Sequence, residues 1–244
     1  MSSFGTTHLG MVRKNNQDSY FHMDYDDRYS IIAVADGLGG HNAGEVASAY
    51  AVDELREFFD SCKESDFFLM SEEIVSFIKN INHGIYTMSV ASESLSGMGT
   101  TLTMAITDGK RAVTYHVGDS RAYRIGKDHI EQITKDHSLV QYMLDQGQIT
   151  QNEALHHPQK NIITRALGTD ADIAVDVIES TLERNDILMV CSDGLTNNVS
   201  NASILEIVRS KRLKSAVNEL VNEANRNGGS DNITVVMYSE DVKI

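Results

Sequence analysis

The chain has 244 residues, of which 41% are hydrophobic, and its 35 Asp and Glu against 21 Lys and Arg give a formal net charge of −14. This length and composition exclude a disordered chain and predict one compact domain with a sizeable core. The negative charge argues against binding of nucleic acid or of an anionic membrane surface, and no apolar run approaches the roughly 20 residues needed to cross a bilayer.

The first part of the chain predicts one strand followed by two helices. The apolar run 29–35 is typical of a β-strand and ends at Asp36. Asn42 is suited to cap a helix that extends to about residue 59. Ser71 is suited to cap a second helix, in which apolar residues recur at helical spacing.

The middle of the chain predicts two hairpins, each with turn residues between two apolar runs. Asp108-Gly109 is the strongest hairpin signal, and Gly126-Lys127-Asp128 forms the second turn. The four predicted strands are 100–107, 111–117, 122–125 and 129–133. The segment 138–164 is less regular and contains the only proline, so we predict a surface flap there.

The last part predicts strands at 173–178 and 187–191, helices at 202–209 and 213–225, and a final strand at 233–238. Strands joined by hairpins favour antiparallel sheets. Amphipathic helices that occur in pairs favour layers that cover the faces of those sheets. The order of elements therefore predicts an α+β fold.

Aspartate repeatedly stands where an apolar strand begins or ends, although it is a poor strand former. Each Asp-Gly or Asp-Asn pair taken alone is typical of an ordinary turn, and the hairpin fully explains Asp108. Four others would converge on one rim of a sheet, where their mutual repulsion requires cations. Oxygen ligands favour Mg²⁺, Mn²⁺ or Ca²⁺ over Zn²⁺. The four residues are Asp36, Asp119, Asp193 and Asp231.

Two further residues indicate phosphate chemistry beside such a site. Arg13 opens a polar run that ends at Asp18, and a guanidinium group binds phosphate through two parallel hydrogen bonds. His41 follows a glycine-rich loop and is suited to donate a proton near neutral pH. Taken alone, the polar run is typical of a solvated loop, and a single histidine is most often a surface or packing residue.

A series of motifs occurs along nearly the whole chain: RKNNQD (13–18), ADGLGGHNAGE (35–45), GMGTT (97–101), VGDSRAYR (117–124), TKDHS (134–138), CSDGL (191–195) and GGSDNIT (228–234). In this order, the motifs resemble those of the PPM (type 2C) family of metal-dependent serine/threonine protein phosphatases, and the compact length resembles its bacterial members. The resemblance implies a four-layer αββα sandwich in which helix pairs flank two central antiparallel β-sheets. It also implies a single domain over 1–244 with a variable flap near 138–164.

The resemblance further implies which residues hold Mg²⁺ or Mn²⁺. Asp36 would bridge two core ions, and Gly37 would offer its carbonyl oxygen to the second. Asp193 and Asp231 would ligate the first ion. Asp119, together with Asp193, would hold a third. In the same way, the resemblance implies that Asp18 holds a metal-bound water, that Arg13 binds the substrate phosphate and that His41 is the general acid.

The implied reaction is hydrolysis of phosphoserine and phosphothreonine in proteins by direct attack of a metal-bridging hydroxide. We expect the enzyme to oppose a bacterial serine/threonine kinase and to act as a monomer. Cys62 and Cys191 lie far apart and favour free thiols in a reducing cytoplasm.

Three alternatives stay open on the sequence. Intact Asp36, Asp193 and Asp231 argue against a non-catalytic phosphoprotein-binding or metal-binding module on the same fold. The site residues do not distinguish a broad phosphatase from one that acts on an anti-sigma-factor antagonist. The net charge and the lack of a basic groove argue against a metal-dependent nuclease.

Overall fold

Two antiparallel β-sheets lie face to face at the centre of the protein, with helices on both outer sides. The computed structural model describes residues 2–25, 28–39, 43–62, 65–155 and 157–240. The strands are β1 (Ser2–His8), β2 (Asp18–Tyr25), β3 (Tyr29–Leu38), β4 (Gly99–Thr100), β5 (Leu102–Thr107), β6 (Arg111–Val117), β7 (Arg121–Ile125), β8 (Ile130–Gln132), β9 (Asp176–Thr181), β10 (Ile187–Cys191) and β11 (Ile233–Ser239). The helices are α1 (Ala43–Ser61), α2 (Ser71–Ala91), α3 (Leu139–Asp145), α4 (Gln151–Leu155), α5 (Asp193–Thr196), α6 (Asn201–Ser210) and α7 (Leu213–Arg226), with a 3₁₀ turn at Glu93–Leu95.

The first sheet has the strand order β1-β11-β10-β7-β8, and the second has the order β2-β3-β5-β6-β9, with β4 also paired to β3. All of these neighbouring strands run antiparallel. The Asp108-Gly109 hairpin joins β5 to β6, and the second predicted hairpin joins β7 to β8. Both hairpin predictions are confirmed.

Successive side chains of the central strands pack into different layers of the sandwich. In β3, Ile31 and Ala33 pack in the cluster that contains α1 and α2, whereas Ile32 and Val34 pack between the two sheets. This follows from the strand period of two, because successive side chains point to opposite faces. On the other side, α6 and α7 cover the outer face of the first sheet. The predicted αββα sandwich is confirmed.

The long helices bury one stripe each. In α2, the buried isoleucines 74, 78, 81 and 85 recur every three or four residues, which places them on one face. The two predicted helix caps, Ser71 and Asn42, have different outcomes. Ser71 is the first helical residue rather than the cap, and its hydroxyl accepts a hydrogen bond from Tyr115. The capping prediction for Ser71 is therefore wrong, and the one for Asn42 lies outside the described residues.

The strand prediction misses or misplaces three elements. β1 and β2 were not predicted, because each lies at the end of its sheet and mixes polar with apolar residues. The predicted strand 173–178 begins only at Asp176 and continues to Thr181, in register with β6. Ile173 and Val175 instead pack against the core beneath the helices.

The segment 138–164 forms a closed excursion that contains α3 and α4. The backbone N–H of Thr164 donates to the carbonyl oxygen of His137 at 2.8 Å, so the two ends of the excursion meet. Ser138 and Ile163 form a β-bridge beside this contact. No helix in the ranges described combines the length and apolar character needed to span a membrane.

We expect Leu188→Ala to lower the free energy of unfolding by about 2–5 kcal/mol, because Leu188 is fully buried between the sheets and its loss leaves a cavity. Leu69→Ala is the matched control, since Leu69 is 82% exposed, and it should change stability by less than about 0.5 kcal/mol. Urea unfolding followed by circular dichroism measures both. Equal losses would contradict the burial of Leu188 in this layer.

Candidate metal centre

The predicted site aspartates meet at one end of the sandwich. Asp18 and Asp36 are directly paired on β2 and β3. Asp193 follows β10 at the start of α5, Asp119 lies in the loop between β6 and β7, and Asp231 precedes β11. Burial raises the pKa of Asp36, and the charges of the other four aspartates all raise it further. The structure thus brings together carboxylates from both sheets.

Two hydroxyl groups hold the side chain of Asp18. Ser192 Oγ and Thr234 Oγ1 donate to the same oxygen, Oδ2, at 2.7 and 2.6 Å. The other oxygen, Oδ1, is buried without a hydrogen-bond partner among the described residues. Thr234 lies on β11 of the first sheet and Ser192 directly follows β10, whereas Asp18 belongs to the second sheet, so these bonds also connect the two sheets.

The backbone of Asp36 is fixed by the motif that contains Thr100 and Thr101. The carbonyl oxygen of Asp36 accepts from Thr101 N at 2.9 Å and from Thr100 Oγ1 at 3.0 Å. The N–H of Asp36 in turn donates to Thr101 Oγ1 at 2.9 Å. A Cβ atom at Gly37 would lie 2.2 Å from the carbonyl oxygen of Gly44, so only glycine allows α1 to begin this close to β3.

Asp231 forms an ion pair with Arg13, whose Nη2 lies 2.6 Å from Asp231 Oδ2. The predicted phosphate-binding residue and a predicted metal ligand are therefore in direct contact. Asn232 holds the neighbouring N-terminal loop: it accepts from Gln17 N at 2.8 Å and donates to the carbonyl oxygens of Leu9 and Asn15. This connection brings Arg13 to the aspartate cluster.

Asp193 is oriented from within its own helical turn, because Asn197 Nδ2 donates to Asp193 Oδ2 at 2.9 Å. A Cβ atom at Gly194 would lie 1.9 Å from the carbonyl oxygen of Asn232. The Ser-Asp-Gly turn and the Asp-Asn turn before β11 therefore pack backbone against backbone. This contact fixes the spacing between Asp193 and Asp231.

Asp119 is buried, and its Oδ1 has no hydrogen-bond partner among the described residues. Gly118 beside it has a φ of +114°, a conformation that favours glycine, and packs against Thr101. His137 holds both polar groups of Gly118: Nδ1 accepts from its N–H at 3.0 Å, and the His137 N–H donates to its carbonyl oxygen at 2.7 Å. The base of the 138–164 excursion therefore supports the loop that carries Asp119.

Positive charge would stabilise this cluster of desolvated carboxylates. Burial, together with repulsion by neighbouring aspartates, raises the pKa of Asp18 to about 7, of Asp119 to about 8 and of Asp193 to about 6. The same causes raise the pKa of Asp36 well above its usual range. Asp36 and Asp193 are only partly buried. The protein atoms packed around these two carboxylates desolvate them, although the site is open to solvent.

Divalent cations fit this donor set. Two buried carboxylate oxygens, Asp18 Oδ1 and Asp119 Oδ1, lack partners among the described residues, and carboxylate ligands suit Mg²⁺ and Mn²⁺. Within the described ranges, no group of three or more Asp, Glu, His or Cys side chains has a geometry that could hold a metal ion. Backbone carbonyl groups and water would therefore have to complete any site.

The structure brings together Arg13, Asp18, Asp36 and the three other aspartates, whereas the candidate general acid His41 lies outside the described residues. Sequence reasoning missed the residues that orient the carboxylates. A signal for them was present, because each is a polar residue in or next to a turn, or at the end of an apolar strand. The missed residues are Thr100, Thr101, Ser192, Asn197, Asn232 and Thr234.

Comparison with known proteins identifies the family. The profile of the family described as Protein phosphatase 2C matches residues 4–236. The serine/threonine phosphatase stp of Listeria innocua is 40% identical over 241 residues, covering 97% of this chain and 94% of the relative. Protein phosphatase PhpP of Streptococcus pneumoniae is 39% identical over 234 residues, covering 96% and 95%.

Solved structures agree with the sequence relatives. The serine/threonine phosphatase Stp1 from Staphylococcus aureus superposes with a TM-score of 0.92 at 34% identity, covering 98% of this chain and 94% of that one. The catalytic domain of the phosphatase PstP, solved in complex with two manganese ions, has a TM-score of 0.85 at 33% identity and covers 97% and 96%.

The fold and the aspartate cluster define a hydrolase of phosphorylated proteins, and the family match covers nearly the whole chain. The chain belongs to the protein phosphatase 2C (PPM) family of metal-dependent serine/threonine protein phosphatases. The family prediction made from the motifs is confirmed.

We expect the stability of the chelator-treated protein to fall as pH rises from about 4 to about 8. The pKa values of Asp18, Asp119 and Asp193 are raised in the folded state, so the folded protein binds these protons more tightly than the unfolded chain does. Thermal unfolding in EDTA across this range measures the effect. Added Mn²⁺ should raise the melting temperature more at the upper end, because deprotonated carboxylates are the ligands.

Asp119→Asn is the variant that separates this effect from other titrations. It removes one carboxyl group whose pKa is raised, so the fall in stability with rising pH in EDTA should become shallower. Near pH 8 the variant should be more stable than the wild type. A wild-type melting temperature that rises through the interval would contradict the electrostatic account.

Proposed function

We propose that this chain hydrolyses phosphoserine and phosphothreonine in proteins at the aspartate cluster, with two core Mg²⁺ or Mn²⁺ ions and a third beside them. The observation that carries the proposal is the convergence of five aspartates from both sheets, two of them with a buried oxygen that lacks a partner among the described residues. In this proposal the two core ions are held by Asp36, Gly37, Asp193 and Asp231, and the third by Asp119 with Asp193.

Bound divalent ions would supply an activated water and stabilise charge on the phosphoryl group, so that direct hydrolysis requires no phosphoenzyme. The chain's own residues position the reactants. Arg13 binds the substrate phosphate, and Asp18 holds a water next to the cluster. His41 remains our candidate for protonating the departing serine or threonine oxygen, which is a strong base.

The substrates in this proposal are proteins phosphorylated by a cognate bacterial serine/threonine kinase, since this reaction consumes the product of such a kinase. The relatives are named serine/threonine phosphatases in several bacteria, which supports the substrate class. Cys62 and Cys191 are unpaired, which supports a reducing cytoplasm. We further propose that the chain acts as a monomer.

Asp36→Asn should reduce Mn²⁺-dependent hydrolysis of a phosphothreonine peptide by about 100-fold or more, because the exchange removes a charge from the centre of the cluster. Asp108→Asn is the matched control: it also changes an Asp-Gly pair, but in a hairpin turn where an asparagine oxygen can still accept the turn hydrogen bonds. Initial rates with Mn²⁺ and with EDTA test both. Undiminished turnover of the wild type in EDTA would refute the proposal.

Arg13→Ala should raise the KM for a phosphothreonine peptide by about 10-fold, with a smaller change in kcat, because a charge-assisted hydrogen bond to phosphate contributes roughly 1.5–3 kcal/mol. Lys14→Ala removes a neighbouring exposed positive charge and should leave KM near the wild-type value. Equal effects of the two changes would show that general charge attraction, rather than a specific contact of Arg13, governs binding.

A further inference from the structure

The two hydroxyl groups that contact Asp18 have fixed donor directions. Ser192 Oγ accepts from the backbone N–H of Thr234 at 3.0 Å, and its single proton is donated to Asp18 Oδ2. Thr234 Oγ1 likewise donates its only proton to Asp18 Oδ2. Neither hydroxyl has a proton left for Oδ1, because each carries one.

A chain of hydrogen bonds extends behind Thr234. Because the Thr234 proton goes to Asp18, Thr7 must be the donor in the 2.7 Å contact between Thr7 Oγ1 and Thr234 Oγ1. Thr7 Oγ1 in turn accepts from Asn16 Nδ2 at 2.9 Å. The bonds from Asn16 through Thr7 and Thr234 therefore all point toward Oδ2, and aligned donors strengthen one another.

The two oxygens of Asp18 consequently have unequal surroundings. Oδ2 accepts two short hydrogen bonds from hydroxyl groups that are fully buried. Oδ1 is equally buried but has no partner in the described part of the chain. Asp18 is paired in register with Asp36, at the centre of the aspartate cluster.

We infer that Ser192 and Thr234 are positioning residues for the metal site: by engaging Oδ2 together, they fix the carboxylate of Asp18 so that Oδ1 is the oxygen available to a water bound by the ions. This inference rests on the proposed function, because it takes the cluster to be the metal site. It assigns a role to one residue of the CSDGL motif and one of the GGSDNIT motif beyond their aspartates.

Thr234→Val tests the inference, because valine has nearly the shape of threonine but carries a methyl group in place of the hydroxyl. We expect Mn²⁺ binding, measured by isothermal titration calorimetry, to weaken by about 10-fold, the lower part of the range for residues that orient metal ligands. Ser192→Ala should act in the same direction. Thr234→Ser restores the hydroxyl and should restore Mn²⁺ affinity.

Thr107→Val is the control for a general loss of a buried threonine hydroxyl. Thr107 is fully buried, makes two hydrogen bonds and lies at the Asp108 hairpin, away from the cluster. It should lower the melting temperature in EDTA without changing Mn²⁺ affinity. Equal weakening of Mn²⁺ binding in Thr107→Val and Thr234→Val would overturn the inference, as would wild-type affinity in Thr234→Val.

Measurements on the wild type distinguish a failure of this inference from a failure of the proposed function. If the wild type binds Mn²⁺ and hydrolyses the phosphopeptide but Thr234→Val binds Mn²⁺ equally well, only the positioning role fails. If the wild type neither binds Mn²⁺ nor hydrolyses the peptide, the proposed function fails and the positioning role fails with it.

Discussion

Mutual repulsion among aspartates at one end of the sandwich is the constraint on which the arrangement of the site depends. Burial and neighbouring carboxylates both raise the pKa of Asp36, so the cluster is unfavourable unless positive charge or protons accompany it. Arg13 supplies one positive charge through Asp231. One guanidinium carries a single positive charge and cannot offset several carboxylates, so divalent cations are the natural complement of this cluster.

The fold holds these repelling groups together through contacts made outside the carboxylates themselves. Hydroxyl groups of Ser192 and Thr234 connect Asp18 across the two sheets, and the backbone of Asp36 is fixed by Thr101. Gly194 allows two turns to pack at a distance that no other residue would permit. The strands that carry the aspartates bury apolar side chains between the sheets and under the helices. This closely packed core offsets the repulsion among the carboxylates at the end of the sandwich.

The sequence predicted those parts of the protein that a local pattern determines. The stripe on α2 and the Asp108 hairpin follow from periodicity and turn chemistry, and the family was recognisable because its motifs occur in order. β1 was missed because an edge strand requires no continuous apolar run. The partners of Asp18 were missed for a different reason: Ser192 and Thr234 are 174 and 216 residues away from it in the chain, and only the packing of the two sheets brings them together.

In the proposed function, Arg13 contacts both an aspartate and a substrate phosphate, and the geometry of the Arg13–Asp231 pair allows this. The contact with Asp231 uses only Nη2, and a guanidinium has five N–H donors in a planar fork. The Arg13 side chain is 51% exposed, so about half of its surface faces solvent, where a phosphate can approach. The ion pair therefore orients the guanidinium beside the cluster without using all of its donors. For this reason loss of Arg13 should affect substrate binding more than the integrity of the cluster, which the hydroxyl and backbone contacts maintain independently.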